Sequence, residues 1–171
     1  MTQTASAASL LHAAVQDLHA AKRMQVERLP ELVDTAGEKL AALIVQEGAR
    51  AAAQAARIES AGVDAAGPRN LWMAGILDDA DRDARSHEAG RLRDIALVGA
   101  LRKGKVAEIV SSETAIALAA EMDDAAIGDV IQANRDEEIA SDRALQALLS
   151  ELTGISRPVF RPPADRPTRG G

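Results

Sequence analysis

At 171 residues the chain is long enough for one domain with a core of its own and short for two. Alanine and leucine dominate, strand formers are few, and the aromatic residues are Trp72 and Phe160 alone, which predicts an all-α bundle whose helices pack closely on small side chains. A net charge of −6 argues against a nucleic-acid surface, no apolar run approaches the roughly 20 residues that span a bilayer, and the lack of cysteine excludes disulfides and thiolate chemistry. No basic-then-apolar leader is visible, so a cytoplasmic location is expected.

In chain order, Thr4 and Ser6 are cap candidates, and Leu11, Val15, Leu18, Val26 and Leu29 keep a helical period. They predict a first long helix from about Ser6 to near Val33, with Pro30 as the place where it would bend. Lys22 falls on that stripe, four residues from both Leu18 and Val26. Its stem is expected along the core edge with the ammonium in water. Asp34 to Gly37 forms a turn, after which Leu40, Leu43, Ile44, Ala51, Gln54 and Ile58 set the stripe of a second helix. Glu47, Arg50 and Gln54 place polar groups along its inner side.

Ala61 to Arg69, with Gly62, Gly67 and Pro68, reads as the connection between two hairpins. Asn70 then caps a short helix through Leu71, Trp72, Ile76 and Leu77, with Trp72 expected as a plug on the bundle end. The polar run Asp78 to Glu88 leaves the end of that helix open. A further long helix starts near Gly90 and carries Leu92, Ile95, Leu97, Val98, Leu101, Ile109, Ile116 and Leu118. Lys105 and Glu108, three residues apart and so on one face, interrupt it.

The final helix, Ala126 to Leu152, is capped by Asp123 or Asp124 and ended by Gly154. Its apolar stripe of Ile127, Val130, Ile131, Leu145, Leu148, Leu149 and Leu152 turns polar in the middle, at Asn134, Glu138, Ser141 and Asp142. A carboxylate on the buried face of a helix is costly unless a cation or a metal meets it, so the question of function becomes what meets Glu138. Residues 1–154 are read as one bundle and 155–171 as an extended Pro/Arg-rich tail, in which Val159, Phe160 and Arg161 are candidates for docking a protein partner.

Four segments carry a family resemblance: DLHAAKRMQVERLP at Asp17 to Pro30, QAARIE at Gln54 to Glu59, DIALVGA at Asp94 to Ala100, and DEEIASDRAL at Asp136 to Leu145. Together with the order helix, helix, long connection, helix, helix, they resemble the YciE/YciF-type ferritin-like family. The resemblance implies a ferritin-like four-helix bundle with an additional short helix, dimeric and stress-associated, with a candidate two-metal centre. Carried over position by position, the family's ligands fall on Lys22 in the first helix, on Glu47 and Arg50 in the second, on Lys105, Val106 and Glu108 in the third long helix, and on Glu138 and Asp142 in the last.

Cations at ligand positions repel a metal and fill its volume, so the expectation is a salt-bridge cluster of Lys22, Glu47, Arg50, Lys105, Glu108, Glu138 and Asp142 in place of the metal centre. Three functions stay open at this point. One is a non-catalytic homodimeric bundle, without cofactor, acting through protein interaction. The second is a divergent oxidase or peroxide-handling protein holding iron or manganese on Glu47, Glu108, Glu138 and Asp142, with His12 and His19 nearby but expected at the surface. The third is an adaptor working through the tail. No serine, histidine and acid set and no glycine-rich phosphate loop supports hydrolysis or nucleotide binding.

Overall fold

A computed structural model of the chain describes residues 6–64 and 66–155. Five helices follow one another: α1 (Ala7–Val33), α2 (Glu38–Ser60), α3 (Leu71–Ser86), α4 (Arg91–Glu121) and α5 (Ala125–Thr153). The caps are those that the sequence marks. Ser6 Oγ accepts from Ser9 N–H, Asn70 Oδ1 from Met73 N–H and Asp124 Oδ1 from Ile127 N–H, while Gly154 closes α5 in the left-handed conformation that only glycine takes at low cost. Helix α1 runs on through Pro30 to Val33, because the missing N–H removes one hydrogen bond near its end while Leu29 and Leu32 hold that turn in the core.

Hairpins α1–α2 and α4–α5 form the bundle, in which α1 also touches α4 and α2 touches α5. Leu11, Val15 and Leu18 of α1 share one apolar cluster with Ile58 of α2, Ala115 and Ala119 of α4, and Ile127 and Ile131 of α5. Leu29, Leu32, Leu40, Ile44, Leu97, Leu101, Leu145 and Leu148 belong to a second. Each cluster joins the start of one helix to the end of its neighbour, so the four long helices alternate in direction. Between the two clusters lies a polar waist.

Helix α3, about half the length of α4, lies on the outside of the bundle over the half that holds the second cluster and packs on α1 and α4. Its buried residues Met73, Leu77, Ala80 and Ala84 keep helical spacing through the run that looked merely polar. The helix stops at Ser86, where Ser86 Oγ–H donates to Arg82 O and the His87 ring meets Asp83 O, satisfying two of the last carbonyls. Trp72 differs from expectation: it lies half-buried on the flank, its Nε1–H donating to Asp17 Oδ2 at 2.9 Å. The connection that places α3 along the bundle's side carries Trp72 there, away from its end.

Asn70 is fully buried and makes two ties, capping α3 and donating from Nδ2 to Asp17 O of α1 at 3.0 Å. Asn70→Ala removes both, and chemical denaturation should show a loss of about 2 kcal/mol from a cap and a buried hydrogen bond together. A loss no larger than that of an ordinary surface substitution would mean that α3 is not held by this residue.

Candidate functional site

The waist is built from one or two polar residues per long helix, each on a stripe that is otherwise apolar. Lys22 of α1, Glu47 of α2, Lys105 and Glu108 of α4, and Glu138 of α5 are 2%, 3%, 3%, 0% and 1% exposed. Glu138 bridges the two ammoniums, with Oε1 at 2.8 Å from Lys22 Nζ and Oε2 at 2.7 Å from Lys105 Nζ. Glu108 bridges them as well, with Oε1 at 2.5 Å from Lys22 Nζ and Oε2 at 3.4 Å from Lys105 Nζ. Glu47 Oε2 lies 2.7 Å from Lys105 Nζ, and its Oε1 accepts from Ser141 Oγ–H at 2.5 Å and from Arg50 at the rim.

Gln25 completes the shell, its Nε2–H donating to Glu108 Oε1 at 2.7 Å and its Oε1 accepting from Lys105 at 3.2 Å. Two ammoniums face three carboxylates, and the Arg50 guanidinium offsets the remaining negative charge. Glu47 Oε2 and Glu138 Oε2 each approach Lys105 Nζ at 2.7 Å, contacts in which attraction between charges is the main contribution.

Burial alone would lower the Lys105 ammonium, but Glu108, Glu138 and Glu47 outweigh it and hold it well above the ordinary lysine range. For Glu138 burial pushes upward, and Lys105 and Lys22 overcome it, keeping the carboxylate well below its usual range. Glu108 goes the other way: burial dominates the pull of Lys22 and Lys105 and raises it. A void of about 10 Å³ touches the cluster, against Gln25, Glu47, Gly104 and Lys105 and roofed by Met73, Ile76 and Leu77 of α3. It is the size of one water, too small to hold a substrate.

Several expectations need correction. The Lys22 ammonium does not reach water, because Glu108 and Glu138 stand within ion-pair distance at mid-bundle. Asp142 is not in the cluster: one residue beyond the inward-facing Ser141, it is turned toward α4, where it accepts from Arg102 at 2.7 and 3.1 Å. Val106, next to the buried Lys105, faces outward at 49% exposure and cannot stand at a ligand position. His19, expected at the surface, is buried with Nε2 at 2.8 Å from Glu59 Oε1, whereas His12 is exposed. Val159, Phe160 and Arg161 lie outside the described residues.

Some partners were not singled out from the sequence. Gln25 sits three residues after Lys22 and four before Leu29, a spacing that could have found it. Arg57 and Glu137 pair at 2.8 Å beside Gln54 and Asn134, across the α2–α5 contact. These residues show no apolar periodicity of their own.

The family described as "Domain of unknown function (DUF892)" matches residues 6–156. The chain belongs to that family. Among solved structures, this DUF892 chain is similar to the Escherichia coli stress protein YciF, with a TM-score of 0.84 at 21% identity over 90% of this chain and 100% of the other. It is also similar to YcfI of Rhodopseudomonas palustris, provisionally described as a structural protein, with a TM-score of 0.78 at 22% identity over 83% of this chain and 94% of the other. No curated protein matches the sequence. The fold is therefore the helical ferritin-like bundle of the YciE/YciF type.

That fold implies a two-metal centre, and the donor set of this DUF892 chain does not fit one. Glu47, Glu108 and Glu138 converge, but the ammoniums of Lys22 and Lys105 occupy the space among them and use their oxygens. Among the described residues no three histidine or acidic side chains assemble into a group able to hold a metal. Asp142, the fourth carboxylate considered, points elsewhere.

Removing one partner from a buried cluster leaves an uncompensated charge, so Glu138→Ala should lower the unfolding free energy by about 3–5 kcal/mol, read by chemical denaturation. An unchanged melting temperature would show that the charges do not depend on one another. Because Glu138 is held below its ordinary 4.5 in the fold, the stability that it contributes is complete above that pH and is lost as the pH falls below it. Glu138→Gln should therefore flatten the acid limb of the stability profile. Lys105, held above its ordinary 10.5, gives the mirror case: its contribution is complete below that pH and is lost as the pH rises beyond it.

Proposed function

We propose that this chain is a non-catalytic, metal-free ferritin-like bundle in which the Lys22 and Lys105 ammoniums stand in for the two cations of a dinuclear centre. The observation that carries the reading is the pair of bridges: Glu108 and Glu138 each contact both ammoniums, as bridging carboxylates would contact two metals. With these positions filled by fixed cations, the waist holds the helices and does no chemistry. The protein then acts through its surface, as a homodimer in the cytoplasm. A stress-associated role is supported by the description of YciF as a stress protein, and a structural role by that of YcfI. The tail, with Val159, Phe160 and Arg161, offers a further contact for a protein partner.

The test is elemental analysis of the full chain, produced in medium supplemented with iron and manganese and purified without chelator. Far less than one metal per chain is expected, because a lysine among the carboxylates costs a metal both charge and volume. One or more tightly held metals per chain would overturn the reading.

A further inference from the structure

The end of the bundle where α1 and α5 begin and α2 and α4 finish differs in charge from the rest. Residues 6–21, 58–64 and 107–134, which build it and run down to the waist, hold no lysine or arginine, but they hold Glu59, Asp64, Glu121, Asp123, Asp124 and Asp129. A cavity of about 340 Å³ opens there between the first turns of α1, the end of α2 and the turn from α4 to α5. Leu11, Val15, Met122 and Ile127 give it apolar walls, and His12 and Asp124 polar ones. Asp124 Oδ1 caps α5, 3.1 Å from Ile127 N, which leaves Oδ2 open to a donor. An apolar hollow of this size within an acidic rim suits an apolar body flanked by positive charges.

The chain itself carries such a body. In the run Arg157, Pro158, Val159, Phe160, Arg161 two apolar side chains stand between two arginines, and residues 156–171 hold Arg157, Arg161, Arg166 and Arg169 against the single carboxylate of Asp165. Pro158, Pro162 and Pro163 restrict the backbone, so less freedom is lost on docking. The tail, however, leaves from the opposite end of the bundle. At about 1.5 Å per residue, α5 sets its Gly154 end about 45 Å from Asp124. The chain from Ile155 to Phe160 reaches at most about 18 Å when fully extended. Phe160 therefore falls short of the cavity of its own bundle and can enter only that of another copy.

We infer that the cavity between the hairpin ends receives the Val159–Phe160 segment of a second copy of this chain, with Phe160 on the apolar walls and a flanking arginine at Asp124. The contact is end to end and heterologous: each copy gives one tail and accepts one, so copies join in rows or closed rings. The inference rests on the reading of the tail as a protein contact and names its partner. The metal-free waist does not depend on it.

Fluorescence anisotropy of a labelled peptide of residues 155–171, titrated with the full chain carrying Phe160→Ala so that its own tail competes less, tests the site. Saturable binding that weakens with added salt is expected. Phe160→Ala in the peptide, or Ala8→Trp in the chain to fill the cavity from the first turn of α1, should weaken it about tenfold or more. Asp124→Asn keeps an α5 cap and removes the charge, so it should weaken binding and flatten its salt dependence while circular dichroism shows the native fold. A peptide that does not bind overturns the inference and leaves the metal-free bundle standing, and binding indifferent to Ala8→Trp overturns the cavity as the site. In a mixture of isotopically heavy and light native chains, a photo-crosslinker at position 8 should join residues near Phe160 of the other copy. Crosslinks to residues 1–5 or to the tail of the same copy would overturn the docking between copies.

Discussion

Two lysine ammoniums are held between carboxylates at the centre of a helical bundle, and the rest of the structure is arranged around them. Each buried charge costs several kcal/mol to remove from water, and only close, multiple contacts offset that. Lys22 and Lys105 meet this condition because Glu108 and Glu138 each reach both of them and Glu47 and Gln25 fill the remaining directions. The cluster is therefore nearly neutral in net stability but strict in geometry. Slipping any long helix by one turn would strand a charge, so the waist sets the register of four helices that the apolar residues above and below could pack in other ways.

The alanines make this geometry attainable. Ala21, Ala51, Ala55, Ala100 and Ala115 are buried at the helix contacts and let backbones approach closely enough for short carboxylates to bridge two cations from different helices. Gly104 does the same for α3, whose Met73 and Ile76 lie about 3.6–3.7 Å from where its Cβ would stand and close the cluster from the side. The void beside the charges is no larger than one water, so the helices close tightly on them there.

The same helix serves two purposes. On its inner side α4 supplies Lys105 and Glu108, and on its outer side it presents Val106 and Val110. A helix that is apolar nearly all round is ordinarily one that is covered on every side. The inner face is covered by α1, α3 and α5.

Periodicity and capping rules, which are local, determined the helices: Ser6, Asn70, Asp124 and Gly154 mark ends that the structure keeps, and the interrupted stripe of the last helix pointed to a polar centre at Glu138, whereas grouping Lys22, Glu47, Lys105 and Glu108 with it took the family resemblance. What periodicity could not decide was which charges meet. Asp142 follows Glu138 by four residues and looks like its neighbour, yet the small angular step carries it toward Arg102, and the choice depends on where α4 lies. Lys22 could have reached water or turned inward, and only the placement of α4 and α5 opposite it brought two carboxylates within range. The length of α3 was hidden for a related reason, since Ala80 and Ala84 become a buried face only when α1 and α4 stand against them. A sequence states what each helix can bury, whereas pairing between distant charges depends on distances across the bundle, and those exist only once the helices have packed.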